Sequence, residues 1–235
     1  MRPSAVLFDL DGTLVDSERV WLDVIRTRLA VMGSPVSSSQ LAALEGLSSI
    51  DAARALIEGG AQSDGTRSDG AQSDGTRSDG VTELAAELED LTIDAFGGRL
   101  PWIPGAEEAL GYLRREGIRL ALVTSSTRRW VDAVAQSVCL GPFDVVVTAD
   151  DVQQTKPHPE PYLRAIDLLD VDPGSCLVFE DSAVGVRAAA RVGCRVVQVR
   201  AELQSESGAT ACIPDLRAVT VPWIASLMTL EPALP

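Results

Sequence analysis

Two carboxylates lie two residues apart near the start of the chain. Asp9 and Asp11 follow the apolar residues 5–8, and Gly12 comes directly after them. Along a strand, side chains two residues apart point to the same face, so both carboxylates can approach one site. An alternative is a turn in which Asp11 only caps the next segment. Because α/β folds bind ligands at the carboxyl ends of parallel strands, we interpret the pair as functional.

Three later apolar runs also end in polar residues. These residues are Thr124, Ser125 and Ser126 after the second run, Lys156 after the third, and Glu180 and Asp181 after the fourth. Each has an ordinary alternative, because a serine or threonine can cap a helix and a lysine can lie in a solvated loop. In a parallel sheet, however, all these side chains emerge at one edge. Acidic groups, hydroxyls and a lysine that converge there suit a divalent cation together with a phosphate group.

The apolar runs alternate with helical patterns, which predicts a doubly wound α/β core with a parallel sheet covered on both faces. The predicted strands are residues 5–8, 119–123, 143–147, 176–179 and 195–199. The predicted helices between them are residues 106–116, 127–138, 160–169 and 182–192. The residues after about 203 are weakly patterned and contribute nothing to the functional argument.

Residues 16–97 interrupt this alternation. Helical patterns without a strand pattern lie at 17–32, 38–44, 51–58 and 81–96. We therefore predict an inserted helical domain, with a core formed by residues 1–15 and 98–235. Inside the insertion, the sequence AQSDGTRSDG at 61–70 is repeated at 71–80. A calcium-binding repeat is the functional alternative, but a segment whose only apolar side chains are alanines is more typical of a flexible linker.

The net charge of −14 limits the possible partners. Such a field repels nucleic acids and anionic membrane surfaces, so we expect neither as a partner. No apolar run approaches the roughly 20 residues of a membrane-spanning helix, and we expect a cytoplasmic protein that is a monomer by default. The four cysteines form no CxxC pair, and His158 is the only histidine. These counts argue against a zinc cluster, a histidine-rich metal site and a Ser-His-Asp hydrolase built on another histidine.

The acidic segment at 9–17 resembles the first signature of the haloacid dehalogenase superfamily. Thr124, Lys156 and the pair Glu180 and Asp181 are similar to its second, third and fourth signatures, in the same order. The residues around Lys156 and Glu180 also resemble the subgroup that contains β-phosphoglucomutase and sugar-phosphate phosphatases. The resemblance covers nearly the whole chain apart from the repeat and the C-terminal tail. It implies a Rossmann-like core with an inserted α-helical cap domain.

The resemblance also implies roles for the acidic residues. Asp9 is the implied nucleophile, which attacks phosphorus and forms an aspartyl-phosphate. Asp11 is the implied general acid toward the leaving oxygen, and then the general base for water. The implied cofactor is Mg²⁺, and its implied ligands are Asp9, the backbone carbonyl of Asp11, Asp181, and Glu180 either directly or through water.

Phosphate binding and substrate recognition follow from the same resemblance. Thr124 and the groups after it, at Ser125 and Ser126, are implied to bind the transferring phosphoryl group, and Lys156 to neutralise its charge. The cation and Lys156 would thus supply the positive charge that an acidic protein needs around an anionic substrate. Specificity is implied to reside in the cap, where the candidates are Ser17, Glu18, Trp21, Glu45, Gly46 and Leu47.

Several reactions remain to be compared. Asp11 argues against carbon–halogen cleavage, because dehalogenases of this superfamily generally lack a second carboxylate and a metal. A β-phosphoglucomutase-like phosphomutase is the alternative, but the mutases resembled here carry a histidine where Trp21 stands. A binding module with a decayed site is a third hypothesis, although every signature residue is present. We therefore predict a phosphatase that hydrolyses a small phosphorylated metabolite, with a sugar phosphate as the favoured class. Trp130 and Trp223 are interpreted as packing residues.

Overall fold

The computed structural model describes residues 2–34, 36–44, 47–63, 74–96, 100–141, 143–200 and 208–230. The strands are β1 (Ala5–Phe8), β2 (Arg119–Val123), β3 (Val145–Val147), β4 (Cys176–Glu180), β5 (Arg195–Val199) and β6 (Ala211–Ile213). In this part of the chain they form one sheet in the order β3-β2-β1-β4-β5-β6, and every pair is parallel.

Helices connect and surround the strands. The α-helices are α1 (Glu18–Val31), α2 (Ser38–Ala42), α3 (Ser49–Ser63), α4 (Asp74–Ala95), α5 (Ala106–Arg115), α6 (Arg128–Ser137), α7 (Glu160–Leu169), α8 (Ala183–Ala190) and α9 (Val221–Leu227). Short 3-10 helices lie at Ala149–Asp151, Pro173–Ser175 and Leu216–Ala218. Among the described residues, every helix is too short or too polar to cross a bilayer.

Both faces of the sheet are covered. On one face, Leu7 of β1 belongs to an apolar cluster with Tyr162 of α7 and Val186 of α8. Phe179 of β4 is paired with Phe8, the residue after Leu7 in β1. Because successive residues of a strand point to opposite faces, Phe179 lies on the other side of the sheet. There its ring stacks with that of Trp223 of α9, with the ring centroids 6.4 Å apart. The predicted doubly wound α/β class is therefore confirmed, and burial on both faces explains the nearly continuous apolar strands.

Strand β1 lies at the point where the strand order reverses. Phe8 is paired with Leu122 of β2 on one side and with Phe179 of β4 on the other. The chain leaves β1 at Asp9, so this residue emerges between the ends of two neighbouring strands. In open α/β sheets, such a reversal opens a crevice at the carboxyl ends of the strands.

The chain is divided into two compact units. One contains Met1–Ser17 and Gly98–Pro235, and the other contains Glu18–Gly97. In the second unit, α1 and α3 pack against α4, and an apolar cluster that includes Ile25 and Leu88 forms its core. The first boundary lies two residues after the one expected from the sequence, so Ser17 belongs to the unit that contains the sheet.

The ends of the repeated segment are helical. Residues 61–63 are the end of α3 and residues 74–80 are the beginning of α4, which differs from the expectation of a flexible linker over 61–80. A helix that is already stabilised by packing, as α4 is through Leu88, extends over neighbouring residues without a new nucleation step. The middle of the repeat, at 64–73, lies outside the described residues.

Two elements in the C-terminal part were not expected from the sequence. Strand β6 is three residues long and pairs with β5 through Val197 and Ala211. Helix α9 is seven residues long, and the Thr220 hydroxyl caps it by accepting a hydrogen bond from the N–H of Trp223. Elements of this length carry too few residues to show a period in the sequence. Strand β6 is held by its pairing with β5, and α9 packs on the sheet through the ring of Trp223.

Candidate active site

The ends of β1, β2 and β4 bring buried polar groups together. Asp9 continues β1, and its N–H donates to the carbonyl oxygen of Phe179 at 3.0 Å. Thr124 continues β2 in the same way, with its N–H donating to the carbonyl oxygen of Val147 at 3.0 Å. Glu180 is the last residue of β4 and is fully buried. Buried carboxylates at these positions require partners, because an isolated buried charge is strongly unfavourable.

The ammonium of Lys156 lies between two of these carboxylates. Its Nζ donates to Asp9 Oδ1 at 2.6 Å and to Glu180 Oε1 at 2.5 Å. A third hydrogen bond, of 2.8 Å, goes to the carbonyl oxygen of Val123. An ammonium has three N–H donors, so these bonds use all of them. Lys156 is the only lysine in the sequence, and its buried charge joins the ends of β1, β2 and β4.

Glu180 accepts hydrogen bonds on both of its carboxylate oxygens. The Tyr162 hydroxyl donates to Oε1 at 2.7 Å, and the Ser182 hydroxyl donates to Oε2 at 3.2 Å. Gly185 of α8 approaches the same carboxylate so closely that an added β-carbon would lie 1.9 Å from Oε1. Tyr162 is absent from the site predicted by the sequence. The sequence shows it only as a tyrosine on the apolar face of a helix. That position is a signal because a buried tyrosine hydroxyl needs a hydrogen-bond partner.

Three carboxylates form a cluster that could hold a metal ion. One oxygen from each of Asp9, Glu180 and Asp181 lies within 4.8 Å of the others. Gly12, with a φ of +80°, is so close to Asp181 that a β-carbon there would lie 2.1 Å from Oδ2. Because a single ammonium faces three carboxylates, the cluster keeps excess negative charge. An all-oxygen donor set with this charge fits Mg²⁺.

The surroundings raise the pKa of both Asp9 and Lys156. Burial is the main cause for Asp9 and raises its pKa to about 8; the charges of Glu180 and Asp11 add to the increase, while Lys156 opposes it. Burial alone would lower the pKa of Lys156, but its attraction to Asp9 and Glu180 outweighs that effect. Lys156 therefore remains charged, and one ammonium is too little to compensate the whole cluster.

The Asp11 carboxylate accepts three side-chain hydrogen bonds. The Ser17 hydroxyl and the Trp130 indole N–H donate to Oδ1 at 2.5 and 2.9 Å, and the Ser126 hydroxyl donates to Oδ2 at 2.7 Å. Ser17 and Trp130 are buried, while Asp11 is partly exposed. The contact from Trp130 was not expected, because the sequence suggested only a packing role for this residue.

Ser17 lies beside Asp11 because the chain before it is bonded to the sheet unit. Val15 forms a bridge with Trp102, and the N–H of Asp16 donates to the carbonyl oxygen of Pro101 at 2.9 Å. The chain therefore leaves the sheet unit only after Ser17. This differs from the expectation that Ser17 is a residue of the cap.

The hydroxyl residues after β2 have different surroundings. Thr124 Oγ1 accepts a hydrogen bond of 3.0 Å from the N–H of Ser126, which fixes the turn between β2 and α6. In the described part of the chain, the buried hydroxyls of Ser125 and Thr13 have no hydrogen-bond partner. Leaving such a group unpaired is unfavourable by about 1–3 kcal/mol. Ser125 is therefore a group that a bound ligand can satisfy.

The other predicted substrate residues lie in the helical unit. Trp21 and Leu47 are partly buried and pack against its apolar core. Glu18 is the first residue of α1. Glu45 and Gly46 lie outside the described residues. The described contacts thus assign Trp21 and Leu47 a part in the packing of that unit.

Comparisons with known proteins agree with this geometry. A sequence model of the haloacid dehalogenase-like hydrolase family matches residues 3–193. Protein CbbY of Rhodobacter capsulatus is 30% identical over 97% of this chain and 100% of its own length. Hexitol phosphatase A of Escherichia coli K12 is 33% identical over 86% of this chain and 85% of its own length. The crystal structure of a β-phosphoglucomutase from Clostridium difficile has a TM-score of 0.79 at 19% identity and covers 97% of each chain, which shows a similar fold.

Proposed function

Since this chain belongs to the haloacid dehalogenase-like hydrolase family and is a phosphatase, we propose that it hydrolyses a small phosphorylated metabolite of the sugar-phosphate class with Mg²⁺ as cofactor. The observation that carries the proposal is the carboxylate cluster around Asp9, with the buried ammonium of Lys156 bonded to it at 2.6 Å. The relative that acts as a hexitol phosphatase supports the sugar-phosphate class.

Asp9 acts as the nucleophile in this proposal. Its carboxylate attacks phosphorus, an aspartyl-phosphate forms, and the bond between phosphorus and the leaving oxygen breaks. Asp11 donates a proton to that leaving oxygen. In the second half of the reaction, Asp11 removes a proton from water, which attacks phosphorus and releases phosphate and Asp9. Each carboxylate thus returns to its starting state.

The Mg²⁺ would be held by Asp9, the backbone carbonyl of Asp11, and Asp181. When bound, it supplies positive charge that stabilises the transferring phosphoryl group. Glu180 is better suited to act through a metal-bound water than as a direct ligand. Both of its oxygens already accept hydrogen bonds, from Lys156 and Tyr162 on Oε1 and from Ser182 on Oε2.

The phosphoryl group would be bound by the turn after β2. The unpaired Ser125 hydroxyl would gain a partner in a phosphate oxygen, and the backbone N–H groups of this turn precede the amino-terminal end of α6. Such a helix end favours an anion. Thr124 and Ser126 shape the turn, because the backbone N–H of Ser126 donates a hydrogen bond to Thr124 Oγ1. Lys156 contributes its charge while it stays bonded to Asp9.

Phosphate release from a panel of sugar and polyol phosphates, measured for the wild-type protein with Mg²⁺ and with EDTA, tests the proposal. We expect turnover that depends on Mg²⁺. Absence of phosphate release from every member of the panel would contradict the proposed activity. If a sugar bisphosphate phosphorylates the protein stably and sugar phosphates are interconverted without net phosphate release, the enzyme is a mutase instead.

The affinity for Mg²⁺ should increase with pH up to about 8. The raised pKa of Asp9 means that the metal-free protein holds a proton there, and the metal must displace it. The folded protein also binds this proton more tightly than the unfolded chain does, so the metal-free protein should lose stability as pH rises from the ordinary range of an aspartate to about 8. Calorimetric titrations in buffers of different ionisation enthalpy measure both the affinity and the released proton.

The variant Asp9→Asn is the control for this pH dependence. It has no proton to release at this position, so its residual Mg²⁺ affinity should change little over the same pH range. An affinity that is independent of pH in the wild-type protein would show that Asp9 is already ionised before the metal binds.

A further inference from the structure

The indole of Trp130 is positioned to act on Asp11 as well as to fill the core. The residue is 6% exposed, and its Nε1–H donates to Asp11 Oδ1 at 2.9 Å. The backbone of Trp130 is fixed in the first turn of α6, because its N–H donates to the Thr127 hydroxyl at 3.1 Å. A buried ring with only two side-chain torsions, on an anchored helix, keeps its donor in one place.

We propose that Trp130 is a positioning residue that fixes the Asp11 carboxylate for proton transfer to the leaving group. The inference rests on the proposed function, in which Asp11 is the general acid. It adds a residue outside the four signature segments, on the helix that follows the second of them. Trp130 acts through Asp11, since its indole N–H donates to that carboxylate.

The chemistry of the donors distinguishes the two oxygens of Asp11. An indole N–H can only donate, whereas the hydroxyls of Ser17 and Ser126 can donate or accept. A protonated carboxyl oxygen is a poorer acceptor than an unprotonated one, so the indole N–H, which can only donate, favours Oδ1 as the unprotonated oxygen. Oδ2, which contacts the Ser126 hydroxyl at 2.7 Å, is then the oxygen that carries and delivers the proton. The serine can reverse its hydrogen bond when Oδ2 becomes protonated.

Fixing the carboxylate in this way matters most when the leaving oxygen needs a proton. An alkoxide leaving group, as in a sugar phosphate, depends on a general acid, while p-nitrophenolate departs without much help. The parameter kcat/KM reports the reaction up to the departure of the leaving group. Loss of the Trp130 indole N–H should therefore lower kcat/KM for alkyl phosphates more than for p-nitrophenyl phosphate. A role restricted to packing would affect both kinds of substrate equally.

The test compares Trp130→Phe with the wild-type protein on an alkyl phosphate and on p-nitrophenyl phosphate, both with Mg²⁺. We expect kcat/KM to fall by about 10–100-fold for the alkyl phosphate and by less than about threefold for the aryl phosphate. Trp223→Phe on α9 is the matched control, because its ring stacks on Phe179 and it should leave the ratio of the two substrates unchanged. Equal losses for the two substrates, or no loss at all, would overturn the role of Trp130.

A second variant and a measurement that does not depend on turnover distinguish the loss of the hydrogen bond from a folding defect. Replacing Trp130 by benzothienylalanine, in which sulfur stands for the indole N–H, keeps the ring shape and should reproduce the selective loss. The chain has four tryptophans, so ¹⁵N labelling gives few indole signals. Asp11→Asn should shift mainly the signal that is lost in Trp130→Phe. If this signal does not shift, Trp130 does not contact Asp11 and the inference is wrong. Absence of wild-type turnover would instead contradict the proposed phosphatase reaction.

Discussion

The variant Asp9→Asn should lose phosphatase activity by roughly 10⁴-fold or more, because a carboxamide oxygen is too weak a nucleophile to form the phosphoenzyme. The change keeps the shape of the side chain, and its oxygen can still accept from Lys156, which is bonded to Asp9 Oδ1 at 2.6 Å in the wild-type protein. Burial raises the pKa of Asp9 to about 8, so this residue is already neutral near pH 7 in the metal-free protein and a carboxamide adds no desolvation cost. We therefore expect the metal-free variant to be at least as stable as the wild-type protein.

Two measurements check this expectation. Phosphate release with Mg²⁺ gives the loss of activity, and urea unfolding without metal gives the free energy of unfolding. Asp167→Asn, the same chemical change at an exposed position on α7, is the matched control and should alter neither quantity. Wild-type-like turnover by Asp9→Asn would assign the nucleophile to another group. A strongly destabilised variant would mean that the Asp9 charge is needed for folding.

The general position of the site could be predicted because its residues follow visible apolar runs. Asp9, Thr124 and Glu180 each end a strand, and a parallel sheet brings such ends to one edge. The order of the strands places these ends next to one another, since β1 lies between β2 and β4. Local information was sufficient here, because a buried strand is recognisable from a few residues and its end needs no knowledge of distant contacts.

The hydrogen bonds that other side chains donate to Asp11 and Glu180 could not be predicted in the same way. Trp130 and Tyr162 show in the sequence only as aromatic residues on the apolar side of a helix. Their hydrogen bonds to Asp11 and Glu180 depend on how α6 and α7 pack against the sheet, to within less than an ångström. The contact of Ser17 depends likewise on the pairing of the chain just before it. Such distances are set by tertiary packing, which leaves no short-range pattern.

The variant Lys156→Met should lose both activity and stability, with a decrease of about 3–5 kcal/mol in the free energy of unfolding without metal. Methionine has a similar length but no charge, so the variant leaves Asp9 and Glu180 buried without their shared ammonium. Asp9, whose pKa is already raised by burial, then keeps its proton, and Glu180 is left as a buried charge without its ammonium. Urea unfolding of the metal-free protein measures the effect, and Mg²⁺ should restore part of the loss because it brings positive charge back to the cluster.

Matched variants separate this effect from a simple loss of packing. In the double variant Lys156→Met with Glu180→Gln, one carboxylate is also neutralised, so much of the stability should return while activity stays absent. Arg26→Met removes a cation from the exposed pair with Asp23 and should change stability little. Equal losses in the single and double variants would show that the charge of Lys156 is not what stabilises the site.

The charge state of Lys156 can be observed directly, because it is the only lysine. A sample labelled with ¹³C at lysine Cε gives one side-chain signal, whose shift reports the protonation of Nζ. Asp9 and Glu180 raise the pKa of Lys156, so we expect no titration through the ordinary lysine range near about 10.4 while the protein is folded. In Glu180→Gln, one of the two attractions is removed, and the pKa of Lys156 should fall. Titration of the wild-type signal in the ordinary range would mean that the ammonium is solvated and does not join β1, β2 and β4.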